Sequence, residues 1–202
     1  MLKIVIFDDH RQRREAIRLL VNLQDGMECV GDFQDCSDLV NNLTPNPPDV
    51  VLVDVNMPGV SGLEGVKLLK QHFPQIFIIM QTVFEDDKNL FNCLLVGADG
   101  YLLKKASNDK LIVAILNITQ GIANMAPEIA KRALTYLGKS KQAIGEETSV
   151  LSKNECEILL QLAGGFSRKQ ITSNLSITKQ EIEESIQGIY RKLHYISKIA
   201  DR

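Results

Sequence analysis

Five side chains of this sequence have the types and places needed to act together on a phosphoryl group. Asp8 and Asp9 close the apolar run LKIVIF, Asp54 closes VVLVD, Thr82 follows IFIIMQ, and Lys104 closes GYLLK. Carboxylates gathered within a few ångströms repel one another, and a hard divalent cation such as Mg2+ relieves that repulsion while keeping part of its water shell. A nucleophilic carboxylate, a hydroxyl donor and an ammonium beside such an ion would neutralise a transferring phosphoryl group from several sides, with a covalent aspartyl phosphate as product. Each residue alone has a plainer reading, since Asp at a strand end often serves as a cap or a turn residue. Agreement at all the strand ends favours one shared site.

The elements that must position these residues are legible as an alternation. Short β-rich runs at 2–7, 50–54, 76–81 and 100–104, with a weaker one at 29–33, are separated by segments of helical spacing at 11–23, 37–43, 63–72, 86–96 and 108–120. Uninterrupted apolar strands alternating with helices imply a parallel sheet covered on both faces, here a flavodoxin-like (βα)5 sandwich. In such sheets ligands bind at the carboxyl ends of the strands, where the strand order reverses, which is where the five residues would meet. After residue 121 the alternation stops. One helix-like stretch follows, with Pro127 suited to its first turn and Gly138 to its end, and the polar KSKQAIGEETSV reads as the link to a small all-α domain. Helical patterns then cover 152–164, 168–175 and 179–193, followed by a short tail. The expected division is 1–121 for the α/β domain, 122–148 for a linker helix and flexible link, and 149–202 for the helical domain.

The bulk properties narrow the class. With 202 residues, 45% of them hydrophobic, and a net charge of -2, the chain is an ordinary globular one of two small domains. Cys29, Cys36, Cys93 and Cys156 are far apart, which argues against a zinc site and a disulfide framework and predicts reduced, buried thiols. Neither a signal peptide nor a membrane span is expected, so the chain reads as cytoplasmic. Charge is unevenly spread: residues 1–121 carry 11 Lys and Arg against 16 Asp and Glu, whereas 146–202 carry 8 against 8. A domain that binds nucleic acid through phosphate contacts usually shows a positive excess.

FDDH at 7–10, LVDVNMPGVSGLEG at 52–65, Thr82 and GADGYLLKK at 97–105 resemble the receiver domains of bacterial response regulators, and the whole chain resembles the NarL/LuxR type of two-component regulators. The resemblance implies that Asp54 is phosphorylated by a sensor histidine kinase. It implies that Asp9, Asp54 and the carbonyl of Asn56 bind Mg2+ with Asp8 assisting, that Lys104 pairs with the phosphoryl oxygens, and that Thr82 and Tyr101 form a switch pair. Val83 departs from the small residue usual after the switch Thr, and two extra methyl groups there are expected to slow phosphoryl exchange.

Residues 151–193 resemble the LuxR-type helix-turn-helix domain, whose recognition helix enters the major groove. Ile182, Ile186, Ile189 and Leu193 recur at steps of four, three and four, which predicts one buried face. Gln180, Glu183, Glu184, Gln187 and Arg191 are expected opposite them, and with Arg168, Lys169 and Lys179 they are the candidate DNA contacts. The family's usual Thr-Val-Lys-x-His reads EIEES here, so Glu183 stands where a Lys is common. Glu181, three residues after Thr178, fits a capping box. A glutamate in the groove can accept from a cytosine amino group, but without neighbouring cations phosphates repel it. The tail HYISKIADR is shorter than the fourth helix that usually pairs two such domains, so any homodimer is expected to form through the receiver instead.

Two outputs are consistent with this sequence: a phosphorylation-switched transcription regulator, and a regulator whose acidic, degenerate helix-turn-helix docks on a protein partner without binding DNA. A phosphohydrolase on the same carboxylates lacks an acid or base side chain following Asp54, since Asn56 stands two residues on, and the chain is read as a non-enzyme.

Overall fold

A computed structural model describes residues 1–82, 95–120, 122, 125, 127–144 and 151–200. Five parallel strands, β1 (Leu2–Phe7), β2 (Met27–Phe33), β3 (Val50–Asp54), β4 (Phe77–Thr82) and β5 (Gly100–Leu103), form one sheet in the order β2-β1-β3-β4-β5. Successive strand residues point to opposite faces. In β1, Val5 and Phe7 therefore join one core with Val51 and Val53, while Ile4 and Ile6 join the other with Val50 and Leu52. The helices α1 (Arg11–Asn22) and α4 (Asn108–Thr119) cover the second face with Ile17, Val21, Leu111 and Ile115. On the first face lie α2 (Leu39–Leu43) and α3 (Gly62–His72), bringing Leu39, Leu43, Val66 and Leu69. Of the helical spacing expected at 86–96, most lies outside the described residues.

The strand order reverses between β1 and β3, whose pairing ends at Phe7 and Val53. Asp8 and Asp54 are the next residues of each strand and so emerge side by side. β4 and β5 deliver the other two positions, because Thr82 is opposite Leu103, the residue before Lys104.

The second core is helical. It gathers α5 (Pro127–Ile144), α6 (Lys153–Ala163), α7 (Arg168–Leu175) and α8 (Lys179–Ala200). Ile182, Ile186, Ile189 and Leu193 are all at 0% exposure, packed with Ile158, Ile171 and Ala133. Ser152 and Ser167 start α6 and α7 with capping boxes closed by Glu155 and Gln170.

Two boundaries differ from the sequence expectation. Helix α5 runs past Gly138 to Ile144, because a glycine inside a helix costs only about 1 kcal/mol and the buried Ile129, Ala130 and Ala133 hold the helix from one side. The tail after Leu193 is no separate element. It continues α8 to Ala200, with Ile196 extending the buried stripe at 2% exposure.

Candidate functional site

Asp54 lies at the end of β3 with 3% of its surface exposed, and Asp8 at the end of β1 with 1%. Lys104 reaches across from β5, its Nζ 2.5 Å from Asp54 Oδ2 and 3.0 Å from Asp8 Oδ2. Burial pushes the Asp54 carboxyl above the ordinary carboxylate range; Lys104 and the Asn56 N–H, 3.2 Å from Asp54 Oδ1, act against that, and the Asp8 charge adds to it. The loop after β3 turns back over Asp54 because Gly62 opens α3 directly above it. A Cβ at Gly62 would lie 2.0 Å from the Asp54 carbonyl oxygen, so only glycine allows the approach.

Asp9, at the rim, is half-buried; its Oδ1 is 2.8 Å from His10 Nδ1, and Asp8 Oδ1 accepts from the His10 backbone N–H at 2.9 Å. Asp8, Asp9 and His10 each offer a ligand atom within 4.8 Å of one another. Asp8 Oδ2 is buried and makes no aligned hydrogen bond despite its two cationic neighbours. Neighbouring carboxylates, one with an oxygen whose charge is balanced but which no aligned hydrogen bond fixes, suit a hard, oxygen-seeking cation, so the residues present fit Mg2+. Asn56 is exposed beside them.

The sequence reading missed Arg13 and Gln81. Gln81 sits in β4 at 2% exposure, and its Oε1 accepts from Arg13 Nη2 at 2.8 Å. A glutamine in an otherwise apolar buried strand is itself the signal, since a buried amide needs a partner. Thr82 is the last residue of β4, at the same edge of the sheet. Tyr101, on β5, is partly buried and packs against both the α/β core and the helical core. Val83 and Cys93 lie outside the described residues. Of the other cysteines, Cys36 is buried, with its thiol pushed up to about 12 by that burial, and Cys29 and Cys156 are half-buried free thiols.

In the helical domain, the Thr178 N–H donates to Glu181 Oε2 at 2.7 Å and the Glu181 N–H to Thr178 Oγ1 at 3.2 Å, so Glu181 closes the cap of α8. Lys169, Lys179, Gln180, Glu184 and Arg191 are exposed, and Gln187 is half-buried. Glu183 departs from the expected exposed face. Its side chain is 12% exposed and ion-paired with Arg168 of α7, because that helix packs across the first turns of α8.

A doubly wound sheet with a buried, lysine-paired aspartate at its switch point, followed by a helix-turn-helix, defines a receiver domain joined to an output domain. Residues 4–116 match the family described as "Response regulator receiver domain", and residues 149–200 match "Bacterial regulatory proteins, luxR family". The chain belongs to the response regulators with a LuxR-type output domain. It is 36% identical to the nitrate/nitrite response regulator protein NarP of Escherichia coli over 98% of this chain and 91% of that one. It is 32% identical to the oxygen regulatory protein NreC of Staphylococcus carnosus, over 98% and 93%. Among solved structures, RcsB of Salmonella enterica serovar Typhimurium, bound to the promoter P1flhDC in the presence of the phosphomimetic BeF3-, matches with a TM-score of 0.56 and 27% identity over 95% of this chain and 92% of that one.

Proposed function

We propose that this response regulator is a phosphorylation-switched transcription regulator in which Asp54 accepts a phosphoryl group from a sensor histidine kinase. The observation that carries the reading is the placement of Asp54, buried beside Asp8 and held by Lys104 at 2.5 Å. A carboxylate oxygen of Asp54 attacks phosphorus, and a P–O bond forms as the P–N bond of the kinase phosphohistidine breaks. Asp8, Asp9, Asp54 and the carbonyl of Asn56 would hold Mg2+, which supplies positive charge to the phosphoryl oxygens. Lys104 neutralises those oxygens from the opposite side. The Thr82 hydroxyl then engages the phosphate and Tyr101 turns inward, away from the helical core it now touches, so that the two domains uncouple.

The output is DNA binding by the helical domain, with Arg191, Lys169 and Lys179 on phosphates and Gln180, Glu184 and Gln187 toward the bases. Arg168 and Glu183 support this surface as a pair. A homodimer forms through the receiver face carrying α1 and α4, where Leu19, Leu23, Val113 and Leu116 stand 62%, 79%, 51% and 42% exposed. The protein acts in the cytoplasm, where kinase domains and DNA are accessible; no described helix is long and apolar enough to cross a membrane. The test is labelling with a small phosphodonor, which Asp54→Asn abolishes, combined with gel shifts on genomic fragments at several salt concentrations. Stoichiometric labelling without any shift would instead favour the protein-partner output.

A further inference from the structure

We propose that Arg13 is the resident counter-ion of the phosphorylation pocket, a positioning residue that holds Asp8 and sets how much Mg2+ the pocket needs before it can accept a phosphoryl group. The proposal rests on the reading of Asp8, Asp9 and Asp54 as the Mg2+ pocket. Arg13 enters from the first turn of α1. Its Nη2 donates to Gln81 Oε1 at 2.8 Å, its Nη1 to the Lys104 carbonyl oxygen at 3.1 Å, and its Nε lies 3.1 Å from Asp8 Oδ2.

The guanidinium is therefore fixed by two neutral acceptors, one on β4 and one just beyond β5, independently of the carboxylate it faces. A planar fork held in this way stays in place when the carboxylate turns toward another cation. The contact with Asp8 is of a different kind. Asp8 Oδ2 and Arg13 Nε are both buried, and neither makes an aligned hydrogen bond although they are 3.1 Å apart. Charge is satisfied there and direction is not, which marks a separable pair and not an optimised structural bond.

Gln81 supports the same reading. Its amide is buried in the sheet at 2% exposure, and its nitrogen has no hydrogen-bond partner among the described residues. Burying a half-satisfied amide is costly, and the bond to Arg13 is what the position gains in return. With Arg13 in place, Asp8 and Asp54 face two cations, Lys104 and Arg13, and Asp9 at the rim leaves one net negative charge where there would otherwise be two. A divalent ion at the carboxylates competes with Arg13 for Asp8 and is repelled by its charge. At the separations within such a pocket and a water-like dielectric, that repulsion alone weakens binding about tenfold.

The experiment is titration of the full chain with Mg2+ by calorimetry and with Mn2+ by electron paramagnetic resonance, in the parent, Arg13→Met and Arg13→Lys. The expected result is about tenfold tighter binding in Arg13→Met and near-parental binding in Arg13→Lys, which keeps the charge. The Mg2+ concentration for half-maximal labelling by a phosphodonor should fall in Arg13→Met by the same factor. Equal or weaker metal binding by Arg13→Met with a parental melting temperature overturns the role of Arg13 and leaves the pocket reading standing. If Arg13→Met does not fold, Gln81→Leu, which removes the anchor but not the charge, decides in its place: tighter binding supports the proposal and parental binding overturns it. Absence of metal binding in every chain, the parent included, overturns both the proposal and the Mg2+ reading.

Discussion

Arg168 Nε on α7 lies 3.2 Å from a carboxylate oxygen of Glu183 on α8. This pair accounts for an acidic residue where a basic one is common in helices of this type. Burial raises the Glu183 carboxyl above its ordinary range, with Arg168 and Lys179 opposing that. Glu183 therefore balances a cation within the protein instead of presenting its charge to the phosphates. Glu184, one residue on, is exposed and bonded to Gln180 Nε2 at 2.8 Å.

The two glutamates should therefore respond differently to the same change. Glu183→Lys places two cations together in a half-buried site and is expected to destabilise the helical domain by about 1–2 kcal/mol, because breaking one partner of a sheltered pair leaves the other uncompensated. Combining it with Arg168→Glu restores the pair and most of that loss. Glu184→Lys leaves stability within about 0.5 kcal/mol of the parent and strengthens DNA binding with a steeper salt dependence. Urea denaturation of the full chain and gel shifts at two salt concentrations check both halves.

Glu155 and Glu183 should give opposite pH dependences. At Glu155, burial raises the carboxyl, but Lys192 Nζ at 2.6 Å and the Ser152 cap outweigh it, and the folded value lies below the ordinary 4.5. Its stabilisation is therefore present above 4.5 and is lost as pH falls through the folded value. Glu183 is raised, so stability is lost as pH climbs from 4.5 to its folded value, where the unfolded chain has already released the proton. Urea midpoints measured from about pH 3 to pH 7 should lose their acid-side decline in Glu155→Gln and their loss on the rising side in Glu183→Gln.

Most of the α/β domain was legible because its strands are continuous apolar runs, and the candidate pocket residues Asp8, Asp54, Thr82 and Lys104 follow at the ends of those runs. The continuous apolar runs and the chain order of Asp8, Asp54, Thr82 and Lys104 suffice to propose the pocket. Arg13 was not legible: RQRR at the start of α1 reads as a solvated helix face, and only the packing of α1 on β1 and β2 turns Arg13 toward Asp8 and Gln81 and Arg14 toward Asp32. Glu183 was misread for a related reason. Helical periodicity fixes which stripe is buried most deeply, but it does not show how closely α7 crosses the neighbouring face. The end of α5 was missed because glycine is a weak stop signal when one face of the helix is already packed.

Gly62 should tolerate no side chain. Its absent Cβ would stand 2.0 Å from the Asp54 carbonyl oxygen and 3.0 Å from the Val55 Cα, both backbone atoms that cannot rotate away. Gly62→Ala must shift either α3 or the end of β3, at an expected cost of about 3 kcal/mol or more, in the upper range for overpacking a well-fitted site. Labelling of Asp54 should fall with it, since the carboxylate moves with its backbone. Thermal melting and phosphodonor labelling of the variant give the two readings, and an unchanged melting temperature would contradict this account of the loop.

Among the described residues, α8 touches the receiver through His194. His194 Nδ1 lies 2.6 Å from the Leu95 carbonyl oxygen, and its ring comes so close to Gly97 that a Cβ there would be 3.3 Å from Cε1. Leu95 and Tyr101 add apolar contact to the helical core from the receiver side. These contacts hold the C-terminal half of α8 against the receiver, and interfaces between domains of one chain commonly allow relative motion. Removing the imidazole in His194→Ala deletes the polar contact and its packing while leaving the phosphorylation pocket untouched. The expected outcome is a larger radius of gyration in small-angle scattering, tighter DNA binding without phosphodonor, and unchanged labelling of Asp54. Tyr101→Ala should open the domains in the same way. The result that would count against the closed arrangement is a His194→Ala chain as compact as the parent, with phosphodonor still producing the same increase in size in both.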